Sequence, residues 1–85
     1  MNITILYFAA LRERVGIARE QCALPPDVTT VATLKNWMAA RGAPWSDAFA
    51  DMPRVRAAVD QAMARAETSL RDGAEVAFFP PVTGG

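Results

Sequence analysis

Hydrophobic and polar positions alternate from residue 2 to residue 8. Ile3, Ile5 and Tyr7 fall on one side, and Asn2, Thr4, Leu6 and Phe8 on the other. A period of two carried by β-branched and aromatic side chains predicts a strand. Apolar groups stand on both sides, so this strand belongs inside a sheet, covered on one face and partly covered on the other. The period then lengthens: Leu11 and Val15 lie four apart, which predicts a short helical turn over residues 9–15, ended by Gly16. From Ile17 to Leu24 the alternation returns, with Glu20, Cys22 and Leu24 on one side and Arg19, Gln21 and Ala23 on the other. Pro25-Pro26-Asp27 breaks that second strand.

The main helix is predicted over residues 30–41, where Val31, Leu34, Trp37 and Met38 form a stripe that must lie on a sheet. Thr29 or Thr30 caps its start, Arg41 falls in the last turn where a cation suits the helix dipole, and Gly42 and Pro44 stop it. Trp37 reads as core. Residues 44–52 form a second, short helix, with Ser46 as its cap and Trp45 and Phe49 closing one edge of the core. Beyond Pro53 the period is two again, with Val55, Ala57 and Val59 inward and Asp60-Gln61 starting a turn. Residues 63–66 are a weak strand, and Leu70 anchors the loop that follows. Asp72-Gly73 is a hairpin-turn signal feeding a last strand, 74–79, with Val76 and Phe78 on one side and Glu75, Ala77 and Phe79 on the other.

A mixed sheet with one helix laid across it packs this order of elements most economically. The first and last strands are both strongly apolar, which predicts them side by side and parallel at the centre. If Ile3, Ile5, Val76 and Phe78 face the helix, then Phe8 and Phe79 face away from it. With Met63 they make an outward patch of the composition that protein interfaces favour. The plainer reading is scattered surface hydrophobes, which are ordinary.

Composition narrows the function. Eighty-five residues make one domain with one modest core. Nine basic residues balance nine acidic ones and no basic run exists, so binding to nucleic acid has no electrostatic footprint. The apolar stretch from Ile3 to Leu11 is too short to span a bilayer and has no Lys or Arg before it, as a signal peptide requires. A cytoplasmic location is the expectation. The single cysteine excludes an internal disulfide and a thiolate cluster. Cys22 reads as a small buried hydrophobe; a sulfur-relay thiol is the alternative, but no neighbouring cation or histidine is at hand to lower its pKa. The chain has no histidine, so no imidazole base, Ser–His or Cys–His pair can be assembled from it. Arg12, Glu13 and Arg14 read as solvated surface, with a partner contact through Arg12 as the lesser alternative.

What remains is the end of the chain. Pro80-Pro81-Val82-Thr83-Gly84-Gly85 follows the last strand directly. Pro80 cannot donate to a ladder, so the sheet stops there. Two prolines hold the chain extended, and six residues reach roughly 20 Å from the body. A Gly-Gly end passes through channels too narrow for any Cβ. The one reactive group it delivers is the terminal carboxylate of Gly85, which points to activation as an acyl-adenylate and capture by a nucleophile. A frayed terminus is the plain alternative, but one that is merely frayed has no need of a stiff neck. Residues 1–79 are thus the domain and 80–85 the tail.

The run from Asp72 to Gly85 resembles the C-terminus of the small subunit of molybdopterin synthase, the MoaD family. Ile3 to Glu13 resembles that family's first strand and turn, and Arg56 to Gln61 also matches in the middle. The resemblance implies an α+β, β-grasp (ubiquitin-like) fold, with a mixed sheet of about five strands, one main helix and a short second helix. It implies that an E1-like adenylating enzyme, using ATP and magnesium, activates Gly85, and that a sulfur donor protein converts it to a thiocarboxylate. Pro81, Val82, Thr83 and Gly84 would enter the active site of the large subunit, in a 2+2 heterotetramer, and sulfur would pass to cyclic pyranopterin monophosphate. Phe8, Met63 and Phe79 would form the partner interface. No tightly bound cofactor, metal, nucleic acid or membrane is implied. Three alternatives stay open: a sulfur carrier for thiamine synthesis, which is usually shorter and lacks the helix around Trp45; a ubiquitin-like modifier; and an interaction module with an inert tail.

Overall fold

The computed structural model describes residues 1–81. The elements in order are β1 (Asn2–Tyr7), α1 (Ala9–Val15), β2 (Arg19–Ala23), α2 (Val31–Ala39), α3 (Trp45–Asp51), β3 (Arg56–Val59), β4 (Ala62–Ala64) and β5 (Glu75–Phe79). The five strands form one sheet in the order β2-β1-β5-β3-β4. β1 and β5 pair in parallel, with Ile5 opposite Val76 and Tyr7 opposite Phe78. All other pairs are antiparallel. The two most apolar strands do occupy the centre, and the fold is the β-grasp expected.

One face of the sheet carries the core. Ile3, Ile5, Tyr7, Ala57, Val76 and Phe78 are buried together with Val31, Leu34 and Met38 of α2, Leu11 and Val15 of α1, and Phe49 of α3. Phe49 meets Phe78 edge to face, with ring centroids 5.5 Å apart. Trp37 and Trp45 pack against this core while remaining partly exposed.

Three local devices hold α2 against the sheet, and sequence showed only one. Thr30 caps the helix, accepting from the Thr33 amide, while Thr33 Oγ1 accepts from the amides of Thr29 and Thr30. The next two free amides of the first turn, those of Val31 and Ala32, donate to the carbonyls of Thr68 and Ala66. An isolated bridge, Thr30 to Ser69, and the Leu70 amide on Thr29 complete the join. The loop after β4 therefore serves as part of the helix cap, and buried Leu70 is its anchor.

The structure corrects several local readings. Asp72-Gly73 turns the chain but makes no hairpin, because β5 lies between β1 and β3 and does not touch β4. The turn closes on β1 instead: Asp72 Oδ1 accepts from the Asn2 amide at 2.7 Å, and the Gly73 amide donates to the Asn2 carbonyl. Turn chemistry reverses the chain, but burial of a strand apolar on both sides decides its neighbours. The hairpin is β3–β4, and its two-residue turn is Asp60-Gln61, both with positive φ (49° and 71°). Asp60 also locks this turn to β5, giving its amide to the Glu75 carbonyl and accepting from the Glu75 amide. Ser46 does not cap α3; the N-cap is Pro44, with no side-chain bond. Arg41 lies beyond the end of α2, and its side chain turns across to β2.

A left-handed φ costs an L-residue roughly 1–2 kcal/mol, more than the added backbone freedom of glycine. Gln61→Gly is therefore expected to stabilise the chain by about 0.5–1 kcal/mol, read as a raised thermal midpoint.

Candidate functional site: the outer sheet face and the base of the tail

The face of the sheet away from the helices is built from the second half of each alternation. Register aligns one row across all five strands: Arg19, Leu6, Ala77, Ala58 and Met63. The next row, toward the C-terminal end of β5, sets Phe79 opposite Arg56. Phe8 follows β1 directly and bonds through its amide to the Phe78 carbonyl, so it flanks the same end. Ala58 and Ala77 make a flat floor, and Leu6, Phe8, Phe79 and Met63 rise around it. Phe8 is 45% exposed and Met63 60%, both high for such large apolar side chains.

β5 ends at this margin. It is held by ladders on both sides, to β1 and β3, up to Phe79. Pro80 and Pro81 then carry the chain off the body. Pro81, Phe79, Met63 and Arg56 line a recess of about 310 Å³ at that point. The structure thus brings together three of the expected site residues, Met63, Phe79 and Pro81, while Phe8 flanks β5 on its other side. Val82, Thr83, Gly84 and Gly85 lie outside the described residues. Sequence reasoning did not name Leu6, Ala58 and Ala77 as part of this face. The side each takes was legible from alternation, Leu6 with Phe8, Ala77 with Phe79 and Ala58 with Arg56; what register alone adds is that the three lie in one row.

The opposite face has a different character. Glu20 on β2 accepts from the Tyr7 hydroxyl at 2.6 Å and from Arg41 at 3.1 and 3.0 Å. Trp45 Nε1 donates to the Tyr7 oxygen at 3.1 Å, and the Arg41 guanidinium stacks 3.7 Å over the Trp45 ring. Burial works against the Glu20 charge, but the hydrogen bonds from Arg41 and Tyr7 outweigh it and hold the carboxyl below its usual range. Burial, with Glu20 beside it, pushes the Cys22 thiol up to about 11. A thiol so protonated at neutral pH is a poor nucleophile, which supports the reading of Cys22 as core. This network ties β2, α2 and α3 together.

The folded pKa of Glu20 lies below its unfolded value, so its contribution to stability is present above the unfolded pKa, near 4.3. It is lost as pH falls through the folded pKa. Glu20→Gln is expected to lower stability at pH 7 by about 1–3 kcal/mol and to flatten the loss of stability in acid, as read by denaturant titration across pH.

The ThiS family profile matches residues 5–85. The chain is 45% identical over 83 residues to the molybdopterin synthase sulfur carrier subunit of Escherichia coli, covering 98% of this chain and 99% of that protein. The chain belongs to the MoaD/ThiS family of ubiquitin-like sulfur carriers. Among solved structures of this fold, the putative molybdopterin converting factor subunit 1 of Pyrococcus furiosus superposes with a TM-score of 0.77 at 26% identity, covering 96% of this chain and 99% of that one. The Helicobacter pylori 26695 complex of subunits 1 and 2 of the molybdopterin-converting factor contains a chain of the same fold, with a TM-score of 0.66 at 15% identity and full coverage of both. Among the described residues no helix is long and apolar enough to cross a membrane, and no three potential ligands cluster to hold a metal ion.

Proposed function

We propose that this sulfur carrier subunit of molybdopterin synthase works through the carboxyl carbon of Gly85, with its outer sheet face as the handle. An E1-like adenylating enzyme, using ATP and magnesium, joins the Gly85 carboxylate to the α-phosphate with loss of pyrophosphate. A donor protein's persulfide sulfur attacks the acyl carbon and AMP leaves; a second thiol then attacks the donor's sulfur in the acyl disulfide, forming a disulfide on the donor side and releasing the thiocarboxylate at Gly85. The charged chain then docks on the large subunit, Pro81 to Gly84 thread into its active site, and the terminal sulfur attacks cyclic pyranopterin monophosphate; water then cleaves the acyl C–S bond, leaving the sulfur on the pterin and a carboxylate at Gly85. Two such deliveries make the dithiolene, consistent with a 2+2 assembly. The Helicobacter pylori chain of this fold is found with subunit 2, which favours the large subunit as partner.

One observation carries this reading: the tail leaves the body from the central strand, at the margin of the exposed apolar face. Docking of Phe8, Phe79 and Met63 therefore aims the tail at a fixed place on the partner, which supplies proximity. A thiocarboxylate hydrolyses in water, so a partner's channel also protects it. The chain has no histidine and one lysine, so acid–base groups and phosphate-binding cations come from its partners.

Intact mass spectrometry after incubation with the adenylating enzyme, ATP and a sulfur source tests the assignment. Replacement of one oxygen by sulfur at the C-terminus is the expected outcome. A ladder of heavier conjugates would instead make the chain a protein modifier, and an unchanged mass would make the tail inert.

A further inference from the structure

The docking face is not uniformly apolar. Arg56 stands in its tail-end row, opposite Phe79, and is the one charged residue lining the recess with Met63, Phe79 and Pro81. Arg56 and Met63 also line a second recess, of about 180 Å³, on the other side of β3–β4, where Lys35 and Arg65 add two more cations. Neither lining contains a carboxylate. Among the described residues Lys35 and Arg56 have no acidic partner, and the Arg65–Glu67 pair is strongly exposed, which leaves it weak. A guanidinium left uncompensated within a contact face would lose hydration on docking, with no carboxylate among the described residues of its own chain to replace the water.

We propose that the recess at Arg56 receives an acidic side chain of the large subunit, and that this ion pair sets the register in which the tail enters its channel. The inference rests on the docking role given above. Arg56 is a positioning residue, paired with Phe79, the last residue before the tail. The planar guanidinium accepts a carboxylate in a bidentate fork, which fixes direction as well as distance. The apolar walls of Met63, Phe79 and Pro81 exclude water around the pair and strengthen it.

The test is isothermal titration of the full chain and its variants against the large subunit, at about 50 and 300 mM salt, spanning a clear change in screening length. Arg56→Met keeps length and adds apolar surface. It is expected to weaken binding at least tenfold and to reduce the salt dependence, while Arg56→Glu weakens it a hundredfold or more. Arg56→Lys keeps the charge and loses the fork, so it binds between wild type and Arg56→Met. In the loaded complex Arg56→Lys is expected to lower the rate of sulfur transfer at saturating large subunit, a change that loss of affinity alone would not make. Arg56 is exposed, so all three variants keep the wild-type thermal midpoint.

Binding of Arg56→Met as tight as wild type, with the same salt dependence, would overturn the ion pair while leaving the docking face intact. Loss of binding in Phe79→Glu would show in that case that the face still docks. Failure of the wild-type chain to bind the large subunit would overturn both. A wild-type dimer in sedimentation that Arg56→Glu dissolves would assign the recess to a second copy of the chain and also overturn the proposal.

Discussion

Deleting Gly85 is expected to abolish sulfur charging and leave the fold untouched. The shortened chain still ends in a glycine carboxylate, so its chemistry is unchanged and only its position differs. One residue of extended chain is about 3.3–3.6 Å. A misplacement of about 1 Å at a reacting centre already lowers rates by a factor near 10². Charging by the adenylating enzyme should therefore fall by at least that factor, to a level where intact mass shows only the unmodified chain. Stability should not change, because among the described residues the buried core runs from Ile3 to Phe78 and no element extends past Phe79. A truncated chain that takes up sulfur at the wild-type rate would remove Gly85 from the mechanism. The same measurement on a chain ending in a primary amide separates length from charge, since that chain keeps its reach and loses the oxygen nucleophile.

The second large effect is a contrast between neighbours. Phe78 and Phe79 are adjacent, but the pleat sends them to opposite faces. Phe78 is fully buried against Phe49, whereas Phe79 stands on the outer sheet face. Phe78→Ala should cost about 3–5 kcal/mol of folding free energy. A chain of this length has about 4–13 kcal/mol in all, so much of the population unfolds or sits near its limit. Phe79→Glu should leave the thermal midpoint near wild type but weaken binding to the large subunit by about 2–4 kcal/mol, some 30- to 1,000-fold in Kd. A buried apolar contact is lost and a carboxylate is placed where no cation other than Arg56 can meet it. Unchanged affinity in Phe79→Glu, with the fold intact, would remove the outer face from the docking role.

Much of this arrangement was written locally. Alternation in residues 2–8 and 74–79 announced two strands with apolar groups on both sides, and such strands have only the middle of a sheet to go to. Gly16 ended α1 with a left-handed C-cap, as its lack of a Cβ allows. The stripe of Val31, Leu34 and Met38 set the buried side of α2. Phe8, Met63, Phe79 and the proline neck were identifiable as candidates because large apolar residues at outward positions and a stiffened Gly-Gly end both stand out against ordinary sequence. The second strand was read a little too long, since Ile17 carries strand-like periodicity but finds no partner to pair with, and the weak strand read at 63–66 pairs one residue earlier, over Ala62–Ala64.

What sequence alone determined here is therefore the identity of the elements, the side of each that is buried, and the residue types available for chemistry at the chain's end, because these depend on period, turn chemistry and side-chain inventory. Beyond the central parallel pair, only the tertiary structure decided the places of β2, β3 and β4 in the sheet, that Asp60-Gln61 and not Asp72-Gly73 closes the hairpin, that the loop at 66–70 finishes the cap of α2, and that Arg41 serves Glu20 and Trp45. It also decided that Ala58 and Ala77 share one row of the outer face and that Arg56 stands opposite Phe79 at the end of β5. Each of these is a contact between residues distant in the chain, fixed by strand register and by the competition for burial among whole elements, and no local pattern contains that information.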